Sequence, residues 1–217
     1  MRALVFSGGR LGEWAVSYIK EDDLIIGVDA GAAFLAKRKV RFQSALGDFD
    51  SVTLEEIELV KKYASEFQSC DPVMKDLTDT EMGMRTVLEK GASEILILGG
   101  LGTRFDHSLA NVHLLRTALA HQVRCKIIDS YNQIQLTKDE LMITTDGYPY
   151  VSLLPLTHTV KGVTLEGFQY PLHNASLEMG MSLGISNVLN AKQGKISVKE
   201  GELLVIQSRD TEQGIER

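Results

Sequence analysis

The sequence has little of what marks a secreted, a membrane-spanning or a nucleic-acid-binding protein. Only two of its 217 residues are cysteines, Cys70 and Cys125, and they stand far apart. This spacing predicts reduced thiols and no disulfide framework. No stretch approaches the roughly 20 apolar residues of a membrane helix, and the start "MRALVFSGG" is unlike a signal peptide. We therefore expect a soluble cytoplasmic protein that does not bind membranes.

Basic charge is also in deficit. The chain has 29 acidic and 23 basic side chains, and its formal net charge is -6. Proteins that bind DNA or RNA regardless of sequence usually carry a basic stripe, so we expect no nucleic-acid partner. An anionic ligand stays possible because a bound divalent metal ion can invert the local charge. The length allows one large domain or two modest ones.

The first 130 residues alternate apolar runs with amphipathic stretches. Buried strands are predicted at "ALVF", "LIIGV", "EILIL" and "CKIID", which are residues 3–6, 24–28, 94–98 and 125–129. Helices are predicted at about 53–65, 79–90 and 106–121. Thr53 and Glu56 are spaced as a capping box. Strands that alternate with such helices predict an α/β domain with a mainly parallel sheet.

The pattern changes after residue 130. Short period-two or β-branched runs, such as "YVSLLPL", "GKISVKEG" and "ELLVIQS", alternate there with Gly, Asn and Asp turns. They predict a smaller all-β domain of the sandwich or barrel type. We expect two domains, residues 1–130 and 131–217.

Several acids of the first domain follow predicted strands, at the edge where α/β sheets bind ligands. In "LGDFDS", Asp48 and Asp50 would face one way if the segment is extended, with Phe49 turned into the core. Two such carboxylates repel unless a cation lies between them, and they suit Mg²⁺ held together with substrate phosphates. The pattern indicates phosphoryl or diphosphoryl transfer. Comparable positions are held by Asp29, Asp76, Asp79 and Asp106.

Each acid also has a purely structural interpretation. "GDFDS" can be a turn with Asx-type hydrogen bonds. Asp29, Asp79 and Asp106 can each stand at a helix start, where an acid complements the helix dipole. Thr78 and Glu81 fit a second capping box. The set as a whole is harder to explain in this way than any one member.

A glycine-rich turn joins "EILIL" to the third predicted helix. In "LILGGLGTRFDH", the glycines at 99, 100 and 102 let the backbone approach a phosphate, and the helix start offers N–H groups. Arg104 could donate a forked pair of bonds to a phosphate, or lie at the surface of a tight connection. Lys75 could neutralise phosphate or be solvated, and His107 could donate to a nucleotide. "SGGRLG" at 7–12 repeats the pattern more weakly, and a plain turn is the better interpretation there.

Together these motifs resemble the thiamine pyrophosphokinase family. The resemblance rests on "VDAGA" (28–32), "GDFDS" (47–51), "KDLTDTE" (75–81), "GGLGTRFDH" (99–107) with "LAN" following, and "GISN" (184–187), in the family's order. It implies an α/β domain that binds ATP and Mg²⁺, a β-domain that binds thiamine, and a homodimer with shared active sites. The implied reaction passes the terminal diphosphate of ATP to thiamine and releases AMP.

The resemblance also implies roles for single residues. The metal ligands would be Asp48, Asp50 and Asp79, and Asp76 and Arg104 would join them as catalytic residues. Thiamine would contact Ser186 and Asn187. The nucleotide site would comprise Asp29, Gly31, Lys75, Thr78, Gly100, Gly102, Arg104, Asp106 and His107.

Two other functions stay open on the residues alone. A diphosphokinase for another primary alcohol, such as a hydroxymethyl pterin, could use the same fold and the same acids. A non-catalytic sensor of nucleotide or thiamine would keep the glycine loops but could lose the acids, so the complete acid set disfavours it.

Overall fold

The structure is a computed structural model that describes residues 1–69 and 77–210. The chain divides into two compact units, one formed by Met1–Asp129 and one that begins at Ser130. Strands of the first unit pair in parallel and strands of the second pair antiparallel, which confirms the predicted fold class. Within the two described ranges, no helix is both long enough and apolar enough to cross a membrane.

The N-terminal unit is a parallel sheet with helices. Its described strands are β1 (Arg2–Phe6), β2 (Leu24–Val28), β3 (Phe42–Gly47), β4 (Ala64–Ser69), β5 (Glu94–Leu98) and β6 (Arg124–Ile128). Its described helices are α1 (Glu13–Val16), α2 (Ala30–Lys37), α3 (Leu54–Tyr63), α4 (Asp79–Glu89) and α5 (Phe105–Ala120). The strand order is β4-β3-β2-β1-β5-β6. From β1, the strands β2, β3 and β4 are added on one side and β5 and β6 on the other, so the order of strands reverses between β1 and β5. In parallel sheets, ligands bind beyond the carboxyl ends of the strands at such a switch point.

The sheet is covered on both faces. Leu4 and Phe6 of β1 belong to the apolar cluster that includes Val60 of α3. On the other face, Gly83 of α4 approaches β1 so closely that a Cβ would lie 3.0 Å from a methyl group of Val5. The four successive residues from Ala3 to Phe6 are therefore all buried, which explains the continuous apolar run in the sequence.

The helix starts follow the sequence signals. In the predicted capping box of α3, Thr53 Oγ1 accepts a bond from the Glu56 N–H at 3.3 Å, and Glu56 Oε2 accepts one from the Thr53 N–H at 2.8 Å. At α4 only half of the predicted capping box forms: Thr78 Oγ1 accepts from the Glu81 N–H at 3.2 Å, whereas in this described part of the chain no return bond joins the Glu81 side chain to the Thr78 N–H. The Glu81 carboxylate pairs one turn further on with Arg85, 2.8 Å away. Glu81 thus has a structural role that involves no ligand.

One helix boundary was wrong. The helix predicted to reach residue 65 ends at Tyr63, and β4 begins at Ala64. The sequence of β4, "ASEFQS", is mostly polar because the strand lies at the edge of the sheet and pairs only with β3 among the described strands. Such a strand has no apolar run by which to recognise it.

The C-terminal unit is a sandwich of two antiparallel sheets. Its described strands are β7 (Asn132–Thr137), β8 (Glu140–Ile143), β9 (Tyr150–Pro155), β10 (Thr159–Glu166), β11 (Ala175–Glu178), β12 (Asn187–Val188), β13 (Gly194–Ser197) and β14 (Leu203–Ser208). One sheet has the order β12-β9-β14-β7, and the other has β11-β10-β13-β8. Leu153 and Val205 of the first sheet share a buried cluster with Val160 and Ile196 of the second.

Candidate active site

A cleft of about 890 Å³ opens at the carboxyl ends of the parallel strands of the N-terminal unit. Its walls are the segments after β1, β2, β3 and β5 and the starts of α4 and α5. The lining residues are Ser7, Gly8, Gly9, Arg10, Val28, Asp29, Ala30, Asp48, Asp50, Ser51, Leu77, Thr78, Asp79, Thr80, Gly99, Gly100, Gly102, Thr103, Arg104, His107, Ser108 and Asn111. This is the position expected from the reversal of strand order.

Three carboxylates converge on one side of the cleft. Asp29, Asp48 and Asp50 each offer an oxygen atom, and these three atoms lie within 4.8 Å of one another. Asp79, the first residue of α4, makes a side-chain hydrogen bond with Asp29. The family resemblance implied Asp48, Asp50 and Asp79 as metal ligands and placed Asp29 in the nucleotide site. The structure adds Asp29, which links Asp48 and Asp50 to Asp79.

The turn that carries Asp48 and Asp50 differs from its predicted shape. Phe49 has a φ of 56°, so the segment is not extended as we had assumed. Asp48 Oδ1 also accepts a bond from the Asp50 N–H at 3.2 Å, as in an Asx turn. The Phe49 ring is nevertheless buried, and it stacks on Phe67 with 4.8 Å between ring centroids. Both acids still reach the cleft because this ring anchors the turn in the core.

Asp29 ties the end of β2 to this turn. Its Oδ1 accepts a bond from the Phe49 N–H at 3.0 Å. A Cβ at Gly47 would lie only 2.1 Å from the same oxygen, so the carboxylate occupies the space that a side chain at 47 would need. Asp29 precedes α2 with a φ of 46°, a conformation that is costly for a residue other than glycine. Its carboxylate is directed at the turn, so the helix-capping interpretation of Asp29 does not describe it.

The acid cluster holds a proton near neutral pH. The pKa of Asp29 is raised from 3.8 to about 7, chiefly by burial and then by the hydrogen bond with Asp79 and the charges of Asp79 and Asp48. The Phe49 N–H acts in the opposite direction. Like charges crowded in this way are relieved by a proton or by a cation. The all-oxygen donor set fits a hard divalent ion such as Mg²⁺.

Two glycine-containing loops, the one after β1 and the one after β5, form what we call the glycine floor of the cleft. The Gly9 N–H donates to the Gly99 carbonyl, and the Arg10 N–H donates to the Leu101 carbonyl, both at 2.8 Å. A Cβ at Gly9 would lie 2.3 Å from the Leu101 oxygen, so only glycine fits there. From the sequence we favoured a plain turn for "SGGRLG" and so missed its part in the floor of the cleft. The available signal was its repetition of the strand–glycine–helix pattern.

The loop after β5 is held from α5. Asn111 donates to the Gly100 carbonyl at 2.7 Å, and the Gly102 N–H donates to Ser108 Oγ at 3.0 Å. These two side chains were not predicted as site residues. Their bonds keep the backbone of the loop in place at the start of α5, and the start of a helix is a favourable place for an anion.

Arg104 stands just before α5 and is paired with Asp106. Its Nη2 lies 2.6 Å from Asp106 Oδ2. This contact raises the pKa of Arg104 and lowers the pKa of Asp106, so both stay charged. Asp106 lies in the first turn of α5 and orients Arg104, whereas His107 lines the cleft itself.

Other predicted site residues fall in different places. Thr78 lines the cleft while its hydroxyl caps α4. Gly31 lies against β1, where a Cβ would meet the Phe6 carbonyl oxygen at 2.0 Å, so close packing of α2 on the sheet explains this glycine. Lys75 and Asp76 lie outside the described residues.

Ser186 and Asn187 belong to the C-terminal unit. Asn187 is buried, and its amide donates to the Tyr170 carbonyl at 2.7 Å and accepts from the Tyr170 N–H at 3.1 Å. Ser186 is exposed, and its N–H donates to Ser152 Oγ at 3.0 Å. Asn187 thus fixes the backbone that presents Ser186.

A parallel-sheet cleft with an acid cluster, a glycine floor and arginine side chains is typical of enzymes that bind a phosphorylated ligand together with a divalent cation. The comparisons with known proteins are more specific, and the chain belongs to the thiamin pyrophosphokinase family. The family's catalytic domain matches residues 15–127, and its vitamin B1 binding domain matches residues 132–203.

Individual relatives agree with this assignment. The thiamine pyrophosphokinase of Bacillus subtilis is 35% identical over 195 residues, which cover 89% of this chain and 91% of the relative. Its crystal structure matches with a TM-score of 0.89 at 33% identity, over 97% of this chain and all of that one. The thiamin pyrophosphokinase of Geobacillus thermodenitrificans gives a TM-score of 0.87 at 33% identity, over 97% of this chain and 99% of that one. The family resemblance is confirmed, and neither alternative function is favoured.

The proton held by Asp29 predicts that metal binding strengthens as the pH rises. Below a pKa of about 7, an incoming cation must displace this proton. We expect the affinity for Mn²⁺, a spectroscopic substitute for Mg²⁺, to rise by up to about tenfold per pH unit below that pKa and to level off above it. Titration calorimetry between about pH 5.5 and pH 8.5 measures this.

Two variants make this measurement specific. Asp79→Asn removes a charge that raises the pKa of Asp29, so the rise in affinity should move to lower pH. Asp22→Asn removes an exposed acid before β2, at the other end of the strand, and should leave the profile unchanged. An affinity that does not vary with pH in the unaltered protein would contradict the held proton.

Proposed function

We propose that this protein transfers the terminal diphosphate of ATP to the hydroxyl group of thiamine, with thiamine diphosphate and AMP as products. The observation that carries this proposal is the acid cluster opposite a glycine floor, in a chain that matches both domains of the thiamin pyrophosphokinase family. The acids provide for a cation, and the glycines let the backbone approach phosphates. Diphosphate transfer needs both.

ATP would lie in the cleft of the N-terminal unit. The backbone at Gly100 and Gly102 would face its phosphates, with Thr78 and His107 at the starts of α4 and α5 around the nucleotide. Lys75 is a sequence-based proposal for a further phosphate contact. Each of these assignments predicts a higher KM for ATP in the corresponding variant, and an unchanged KM would refute it.

The acids would hold Mg²⁺ on the phosphates. We propose Asp48, Asp50 and Asp79 as ligands, as the resemblance implies, together with Asp29, whose oxygen lies in the same cluster. Asp76 stays a sequence-based proposal for this group. When bound, the ion would neutralise phosphate charge and polarise the phosphorus under attack.

The proposed reaction is a single in-line displacement. The thiamine hydroxyl oxygen forms a bond to the β-phosphorus and its proton passes to solvent. The bond from that phosphorus to the oxygen shared with the α-phosphate breaks, so AMP leaves with that oxygen. Arg104 would donate to phosphate oxygens as charge develops, and Asp106 keeps its guanidinium in place. The glycine floor holds the phosphates in line with the attacking hydroxyl.

Asp50→Asn tests the function and the metal site together. The change removes a charged ligand while it preserves shape, so we expect turnover to fall by about 10²- to 10⁴-fold. Thiamine-dependent release of AMP from ATP is the measurement. Glu55→Gln, at an exposed acid in the first turn of α3, makes the same change of charge as a control and should behave as the unaltered protein.

Two results would contradict these assignments. Near-normal turnover of Asp50→Asn at saturating Mg²⁺ would refute the assignment of Asp50 as a metal ligand. AMP release with a hydroxymethyl pterin but not with thiamine, in the unaltered protein, would refute the proposed substrate.

We also propose that thiamine binds at Ser186 and Asn187, and that the active sites are shared between two chains of a homodimer. Ser186 is exposed on backbone that Asn187 fixes. Three large apolar side chains are exposed as well: Leu183 and Ile185, which shortly precede Ser186, and Tyr170, whose backbone bonds to Asn187. Exposed apolar surface of this kind marks sites of ligand or protein contact.

Mixing two inactive variants tests the shared site. Asp50→Asn damages the N-terminal unit, and Ser186→Trp would block the thiamine site of the C-terminal unit. If each active site uses one unit from each chain, a mixed dimer has one site with no damage, and co-expression should restore about a quarter of normal activity. A mixture that stays inactive would refute sharing. Full activity of Ser186→Trp alone would refute the thiamine contact.

The cytoplasm is the location that we propose from the sequence. Two cysteines without the spacing of a disulfide framework are typical of reducing compartments. Cell fractionation that recovered the protein outside the cytoplasm would contradict this.

A further inference from the structure

The cleft has a cationic side chain to which neither the family motifs nor the mechanism above gives a role. Arg10 follows β1, within the loop that sequence reasoning had interpreted as a plain turn. It lines the same cleft as the acid cluster and Arg104. Its guanidinium could make only a structural ion pair, or it could also bind a ligand in the cleft.

The backbone of Arg10 is fixed. Its N–H donates to the Leu101 carbonyl, and the preceding Gly9 donates to the Gly99 carbonyl. A Cβ at Gly9 would lie 2.4 Å from that second oxygen as well, so the two loops approach each other as closely as backbones can. Arg10 therefore starts from a rigid part of the floor, which limits the entropy lost when its side chain meets a ligand.

The Arg10 side chain contacts Asp129 and is partly exposed in the cleft. Arg10 Nη2 lies 3.2 Å from Asp129 Oδ2, and the Asp129 side chain is 0% exposed whereas that of Arg10 is 58% exposed. A buried carboxylate needs such a partner, so Asp129 orients the guanidinium. A guanidinium has five N–H donors in a rigid fork that matches phosphate oxygens, and this one is exposed in the cleft where a phosphate could reach it.

The position of Arg10 complements that of the acids. The sheet order places β2 and β3, which precede the acids, on one side of β1, and β5 and β6 on the other. Asp129 follows β6, so the Arg10 side chain extends away from the acid cluster across the end of β5. A polyphosphate that lies across the strand ends would meet the cation-binding acids at one end and Arg10 at the other.

We propose that Arg10 is a phosphate-binding residue, which holds the part of the ATP polyphosphate remote from the acid cluster, with Asp129 as its positioning residue. This inference rests on the proposed function for the identity of the nucleotide. The chemistry that Arg10 recognises is a phosphate oxygen.

The test measures the binding of inorganic tripolyphosphate in the presence of Mg²⁺, beside steady-state kinetics. Arg10→Met should lower the affinity for tripolyphosphate, and kcat/KM for ATP, by about 10- to 100-fold, because a charge-assisted hydrogen bond is lost. The KM for thiamine and the affinity for adenosine should not change. Arg10→Lys keeps the charge but not the fork, so it should show a smaller loss.

The control is Arg41→Met, which removes an exposed arginine just before β3, at the opposite edge of the sheet, and should bind tripolyphosphate normally. Fluorescence of Trp14, the single tryptophan, reports whether each variant is folded. If Arg10→Met does not fold, Arg10→Gln, which also removes the charge but stays polar, decides. Tripolyphosphate affinity within about twofold of normal in the deciding variant would overturn the proposal and leave a structural ion pair.

Failure of the Arg10 proposal can be distinguished from failure of the proposed function. If the unaltered protein released no AMP in the presence of thiamine, the proposed function would fail. The tripolyphosphate comparison would still decide whether Arg10 binds phosphate.

Discussion

The site depends on one hydrogen bond, from the Phe49 N–H to the Asp29 carboxylate at 3.0 Å. It joins the end of β2 to the turn after β3, and it brings the oxygen of Asp29 close to those of Asp48 and Asp50. Glycine at 47 leaves the space that the carboxylate fills. The buried Phe49 ring holds the other side of the turn. Without this bond, the acids would be separate features of two neighbouring strands.

The arrangement is electrostatically and conformationally unfavourable for the protein alone. Four acids line one side of the cleft, the pKa of Asp29 is raised, and both Asp29 and Phe49 have positive φ angles. Each feature lowers stability, and such features persist where the surrounding structure enforces them for function. A bound cation relieves the repulsion, so ligand binding would recover part of what folding loses.

The sequence predicts the parts of this protein whose cause is local. The apolar run "LIIGV" identifies β2 because a strand covered on both faces must be apolar throughout, and Thr53 with Glu56 identifies the start of α3. The polar edge strand β4 has no such signal. The proximity of Asp48 and Asp50 to each other could also be predicted, since only one residue separates them, but the shape of their turn could not.

The remainder of the site is determined by tertiary structure. The role of Asp29 follows from a bond between two strands and from a left-handed conformation that aspartate rarely adopts. The position of Arg10 follows from a loop paired with another loop about 90 residues away, and from a buried acid after the last strand of the unit. No pattern within a short window records contacts of this kind.

The central claim is that the acid cluster binds a divalent cation on the phosphates of a nucleotide. Anomalous diffraction from crystals soaked with Mn²⁺ and a non-hydrolysable ATP analogue tests it most directly. We expect a metal peak within about 2.3 Å of oxygens of Asp48 and Asp50, with phosphate oxygens in the same coordination sphere. A nucleotide bound in the cleft with the metal elsewhere, or with no metal at these acids, would contradict it.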